Sequence, residues 1–219
     1  MKKMNQLETL IDELNKIVGL LEVSDLTIFN IIKNNDRFEV GMTIADLYNN
    51  SYYDYRNHLC CSGLLLGFSF FESYAYDLLG LVLKRKPELS NHKVTLKYVI
   101  DNRANLFDKA IEDHLRMIGF TEVIKCLEKE LRFFNGTEHQ DMMFVYNIRN
   151  CIMHNGGVAD DRVGDKFKLG EKISLTSDDV NGYGIKTREI AEKMWLKFNE
   201  WNNLLPTSPD RASALGMHS

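Results

Sequence analysis

Proline is almost missing from this chain: Pro87, Pro206 and Pro209 are the only three in 219 residues. A proline removes a backbone donor and breaks a helix interior. Its scarcity leaves long segments free to be helical and argues against a many-stranded sheet. Cysteine is sparse too. Cys60, Cys61, Cys126 and Cys151 sit inside apolar patterns without regular spacing. That excludes a disulfide framework and a standard zinc-ligand set, His58-Leu59-Cys60-Cys61 included. Reduced, buried thiols in a cytoplasmic protein are the expectation, with no metal and no cofactor. Positive charge is in deficit, with 27 Lys and Arg against 31 Asp and Glu for a net −4. Nucleic acid is therefore not drawn to the surface as a whole, and an RNA site has to be a local cluster. A long clean apolar run is also missing. Leu59 to Leu83 is interrupted by Glu72 and Asp77, and the run before them falls short of the roughly 20 residues a membrane span needs. The opening Met-Lys-Lys-Met-Asn-Gln-Leu-Glu is basic but lacks an apolar core, so neither a signal peptide nor a membrane partner is expected.

What remains is an ordinary globular composition, 44% hydrophobic and 26% charged, patterned for helices. Leu7, Leu10, Ile11, Leu14, Ile17, Val18 and Leu21 form one stripe over 4–22, and Ser24-Asp25 reads as the start of a short second helix. After a polar break at 34–41 comes a segment holding Tyr48, Tyr52, Tyr53 and Tyr55. Tyrosines at that density either stack on bases or, more commonly, line a bundle surface. Residues 58–86 form a central helix, apolar on nearly every face and closed by Lys84-Arg85-Lys86 and Pro87. Two amphipathic helices are predicted over 93–117 and 120–134, then a further helix from about Glu138. Phe167, Leu169, Ile173 and Leu175 alternate around Gly170-Glu171, which predicts a small hairpin. Asp178-Asp179 and Asn181-Gly182 read as a loop before a last helix from about Ile185 to Leu205. The fold class is all-α, a helical bundle with a small β-hairpin insertion before the last helix. Residues 1–54 are expected to be a helical extension packed on that bundle, 55–205 the main domain and 206–219 a disordered tail.

The stretch with the most chemistry is Tyr146-Asn-Ile-Arg-Asn-Cys-Ile-Met-His-Asn-Gly-Gly157. Phe144, Ile148, Cys151 and Ile152 give it a core-facing stripe. Asn155-Gly156-Gly157 tolerates a left-handed backbone and ends the helix. Arg149 and His154 stand between, a permanent cation and a titratable ring. On the central helix Glu72 is the one strongly placed charge. A buried carboxylate needs a cation or several donors, and Arg149 is its natural partner. Such a pair either serves chemistry or only orients two helices.

Arg149, four residues, then His154, with Asn150 directly after the arginine, resembles the R-x4-6-H signature of HEPN domains. These are helical bundles, many of them metal-independent ribonucleases. Phe68-Ser-Phe-Phe-Glu72-Ser-Tyr-Ala-Tyr-Asp-Leu-Leu79 is similar to that family's long apolar helix with one glutamate. The Arg-Asn-x-x-x-His-Asn-Gly-Gly form is similar to the RiboL-PSP-type branch. The resemblance covers about 55–205. It implies a HEPN-like domain there, an RNA substrate, a homodimer with a composite active site, and a toxin or defence setting with an antitoxin or regulatory protein as partner. Its site would comprise Arg149, His154 and Asn150 as catalytic residues, with Glu72 and Asn155 in support. One departure is visible. HEPN toxins paired with a nucleotidyltransferase often carry a tyrosine two residues after the histidine, where this chain has Gly156.

Cleavage of RNA by its own 2′-hydroxyl needs proton transfer, a cation on the phosphorane and in-line alignment. Histidine suits the first, with an unperturbed pKa of about 6.5. Arginine suits the second, because its fork matches phosphate oxygens; Asn150 would hold the phosphate or orient the ring. Five residues along a helix turn about 500°, which leaves Arg149 and His154 about 140° apart. Either the last turn unwinds or two copies complete one cleft. A non-catalytic helical dimer that binds RNA or a protein is the competing reading, with Arg149 and His154 as polar glue.

Overall fold

The computed structural model describes residues 4–34, 44–90, 98–99, 102 and 105–204. These form six α-helices: α1 (Met4–Asn34), α2 (Ile44–Arg85), α3 (Leu106–Met117), α4 (Phe120–Leu131), α5 (Glu138–His154) and α6 (Ser177–Leu204). The fold is all-α. The chain divides into two compact units, one of residues 1–72 with 135–190 and the other of 73–134 with 191–219.

Several boundaries differ from expectation, each for a local reason. α1 runs unbroken through Ser24-Asp25, because such a pair favours a helix start without forbidding a helix interior. α2 begins at Ile44, so the expected domain boundary at 54/55 falls within a continuous helix. α4 stops at Leu131 rather than 134 because Arg132 turns left-handed at φ 52°. There the Glu128 carboxylate accepts the N–H groups of Phe133 and Phe134 at 3.1 and 3.2 Å. Within the helix expected over 93–117, α3 begins only at Leu106, behind Asn105 with its non-helical φ of −130°; most of 93–104 and the expected tail 206–219 lie outside the described residues.

α6 starts at Ser177 instead of near Ile185. Thr176 and Asp179 close a reciprocal capping box: the Asp179 N–H donates to Thr176 Oγ1 at 3.1 Å and the Thr176 N–H donates to Asp179 Oδ2 at 2.9 Å. Those bonds satisfy orphan donors of the first turn and carry the helix through Asn181-Gly182. The hairpin expected around Gly170-Glu171 is replaced by a loop with one isolated antiparallel bridge, Val158 to Lys172. Two further features explain this. Ile173 N–H pairs with the Gly157 carbonyl at 2.8 Å, not with residues 166–169. Asn57 of α2 then takes the strand partner's place, donating to the Ile173 carbonyl at 3.0 Å and accepting from Leu175 N–H at 2.8 Å.

In the first unit, Leu10, Leu14, Ile17 and Leu21 of α1 are buried, as are Leu64, Phe68 and Phe71 of α2. Gly63 and Gly67, one turn apart on α2, let α1 approach. A Cβ at Gly63 would meet Leu21 Cδ1 at 3.2 Å, Ile17 Cγ2 at 3.3 Å and Val180 Cγ1 at 3.6 Å. In the second unit, Tyr74, Leu78, Leu79, Val82 and Leu83 are buried with Val123, Ile124 and Leu127 of α4 and Met194 and Phe198 of α6. Lys86 bonds Glu130 at 2.7 Å and lies over the Trp201 ring there.

Replacing Gly63 by Leu inserts a branched side chain where a single methyl is already tight. A loss of about 1–3 kcal/mol is expected in urea unfolding. Gly67→Ala, whose added carbon meets the side-chain ends of Leu14 and Ile17 at 3.1 and 3.8 Å, should stay within about 1 kcal/mol of wild type, because helix propensity offsets the crowding.

Candidate functional site

α2 and α5 meet through two stacked layers in the first unit. One is aromatic, with the Phe68 and Tyr146 rings 5.8 Å apart. One helical turn further along both helices, Arg149 Nη2 donates to Glu72 Oε2 at 3.0 Å. Spacings of i+4 on α2 and i+3 on α5 put both layers on the same faces. The pairing expected for Glu72 on the apolar helix is therefore present. Both side chains are about one-fifth exposed, at 19% and 20%. The pair is largely shielded from water, so salt screens it less than a surface pair. Asn150, itself buried, accepts from Arg149 Nη1 at 2.9 Å. Its amide therefore orients the arginine, not the imidazole of His154. Arg149 Nε is buried with no acceptor. The guanidinium is gripped at both prongs while its inner N–H stays unsatisfied.

His154 is exposed and is the last residue of α5. The helix stays regular up to it, so unwinding of the last turn is not how it could join Arg149. At helical spacing the two residues stand about 140° apart around the axis. The structure thus brings Glu72, Arg149 and Asn150 together, while His154 and Asn155 form no hydrogen bond with any of them. Beyond the helix, the Cys151 carbonyl accepts the N–H groups of both Asn155 and Gly157 at 3.0 Å. Gly156 and Gly157 have φ of 60° and 78°, a region that glycine enters without steric cost. A tyrosine at position 156 would be strained.

The loop beyond α5 holds a second charged cluster. Asp160 Oδ1 accepts from Arg162 N at 3.0 Å and from Arg162 Nε at 3.1 Å. Its Oδ2 accepts from Arg162 Nη2 at 2.5 Å and from Asn155 Nδ2 at 2.9 Å. The hydrogen bonds from the Arg162 side chain, ahead of those from its backbone N–H and the Cys151 thiol, hold the Asp160 carboxyl well below the usual carboxylate range. The run Asp160-Asp161-Arg162 was the available clue, but an acidic pair beside an arginine in a loop is common. Burial pushes the Cys61 thiol up to about 11 and also raises Cys126 and Cys151. These thiols are poor nucleophiles near neutral pH. Among the described residues no group of three or more His, Cys, Asp or Glu side chains is placed to hold a metal ion, and no helix is long and apolar enough to cross a membrane.

Glu72→Ala strands a largely buried guanidinium and should destabilise the fold by about 2 kcal/mol in urea unfolding. The cost falls below that of a fully buried pair because both partners keep some water contact. For Asp160 the folded-state pKa is depressed, so its contribution is complete above the unfolded value of about 3.9 and is lost as pH falls through the folded value. The gap in melting temperature between wild type and Asp160→Asn should therefore be widest above about pH 4 and shrink on further acidification.

No protein-family model matches this chain, and no curated protein or solved structure matches it.

Proposed function

We propose that this chain is a HEPN-type, metal-independent endoribonuclease. The observation that carries the reading is Arg149, oriented by Glu72 and Asn150 on the core side of α5, with an exposed His154 ending the same helix. Guanidinium and imidazole are the two groups that metal-free transesterification of RNA requires. In that reaction the 2′-oxygen attacks the adjacent phosphorus, the bond from phosphorus to the 5′-oxygen breaks, and the 2′-proton is removed as the 5′-oxygen gains one. The products are a 2′,3′-cyclic phosphate and a 5′-hydroxyl. Arg149 would stabilise the charge on the phosphorane, and His154 would move the protons. Asn150 and Glu72 act as positioning residues for the arginine, and Asn155 as the cap that presents the histidine.

Because one copy presents Arg149 and His154 on different faces, the reading needs a homodimer in which two copies line one cleft. Such a dimer also doubles the local positive charge, which an acidic chain lacks elsewhere. RNA is the substrate, and an enzyme of this kind in a toxin or defence system requires an antitoxin or other regulator.

The second reading is a non-catalytic helical dimer that binds RNA or a protein. The direct Glu72–Arg149 pair favours it, since a structural ion pair would look the same. The exposure of His154 favours the first.

Incubation of a mixed RNA pool in EDTA with wild type, His154→Ala and Arg149→Ala separates them. Wild type should cut and leave 2′,3′-cyclic phosphate ends, and each variant should lose at least about a hundredfold in rate. Equal cutting by all three assigns the activity elsewhere. Absence of cutting by wild type, with RNA still bound, moves the assignment to the binding protein.

A further inference from the structure

Outside the Arg149 cluster, the first unit holds a second guanidinium whose direction is built in. Arg162 lies in a single 3-10 turn, Asp161–Val163, just beyond α5. Its backbone is pinned on both sides, because Ala159 is 2% and Val163 1% exposed. The Val163 N–H donates to the Asp160 carbonyl at 3.2 Å, and the Ala159 N–H to the Glu171 carbonyl at 2.9 Å. The side chain is 45% exposed, yet it is not left to wander. Asp160 grips it along one edge through Nε and Nη2. Among the described residues nothing accepts from Nη1, so that prong of the fork stays available. Asp160 also bonds Asn155, the residue that follows His154. A chain of two contacts therefore ties the free prong of Arg162 to the helix end that carries the exposed imidazole.

We propose that Arg162 is a backbone-phosphate contact for single-stranded RNA, positioned by Asp160 beside His154. This rests on the ribonuclease reading and names the residue that would anchor the substrate next to the reacting bond. The usual cost of an exposed arginine contact is the freezing of a long, mobile side chain. Here the fold has already restricted it, and a planar fork with one prong open suits a phosphate oxygen. The Asp160 carboxylate opposes an anion less than its charge suggests, because Arg162 and Asn155 donors take up its lone pairs. Arg149, half-buried against Glu72, is suited to the reacting phosphate, and Arg162, exposed on the loop, to a neighbouring one. An acidic chain thus acquires a local cationic foothold without a basic surface.

The test compares full-length wild type with Arg162→Gln and Arg162→Lys. Gln keeps the backbone N–H that Asp160 also holds, and thermal melts establish that each variant is folded. The binding probe is a fluorescein-labelled single-stranded RNA, 2′-O-methylated throughout and so uncleavable, followed by anisotropy across a salt series. Loss of one phosphate contact should weaken binding of Arg162→Gln about 5–10-fold and reduce the slope of log K against log salt by about 0.7. Arg162→Lys should keep the slope and recover only part of the affinity, because an ammonium cannot be held edge-on. In cleavage assays the loss should fall on KM rather than kcat.

Wild-type affinity and slope in a folded Arg162→Gln overturn this proposal and leave the ribonuclease reading intact. A fall in kcat with KM and slope unchanged also overturns it, and makes the Asp160–Arg162 pair a structural brace for His154. Binding without cutting by wild type removes the ribonuclease reading, while the altered salt slope would still establish the phosphate contact. A wild type that neither binds nor cuts overturns both.

Discussion

A carboxylate inside an apolar helix has to be answered by a cation, and that constraint organises the first unit. Glu72 cannot be left alone where α2 is buried, since an unpaired charge costs several kcal/mol or forces protonation. Arg149 answers it across 3.0 Å, which fixes both the register and the rotation of α5 against α2. The aromatic contact between Phe68 and Tyr146 shares that register. With α5 rotated so that Arg149 faces inward, His154 necessarily faces elsewhere. The same bond that orders the arginine thus separates it from the histidine within one copy.

The elements most legible in the sequence were those set by burial over many residues. The bounds of α5 followed from its apolar stripe and from Asn155-Gly156-Gly157, and the Glu72–Arg149 pairing followed from a carboxylate in an apolar context. Illegible were places where a strong local signal lost to a longer-range one. Asn181-Gly182 is a good turn pair, yet the Thr176–Asp179 capping box starts the helix ahead of it. The alternation from Phe167 to Leu175 is a good strand pattern, yet the ladder positions of Ile173 and Leu175 are taken by the side chain of Asn57, more than a hundred residues earlier. No window of neighbouring residues contains that partner. The Asp160 cluster was hidden for a related reason: its members matter because the loop folds back on the end of α5.

The site also shows how positive charge is rationed in an acidic chain. Arg149 is neutralised by Glu72 and Arg162 by Asp160, while among the described residues no carboxylate pairs with His154. Each arginine has its orientation set by the carboxylate that cancels its field. The protein's attraction for an anion would therefore come from preorganised donors more than from net charge, and would be felt only at contact distance.

Asn57 and Glu72 stand on one uninterrupted helix, fifteen residues or about 22 Å apart. The first clamps the segment leading into α6 and the second clamps the arginine of α5. A rod of that stiffness cannot slide at one clamp without dragging the other. The loop beyond the motif and the motif itself are thereby geared together: any force that shifts α2 along its axis is delivered to both at once and in the same direction.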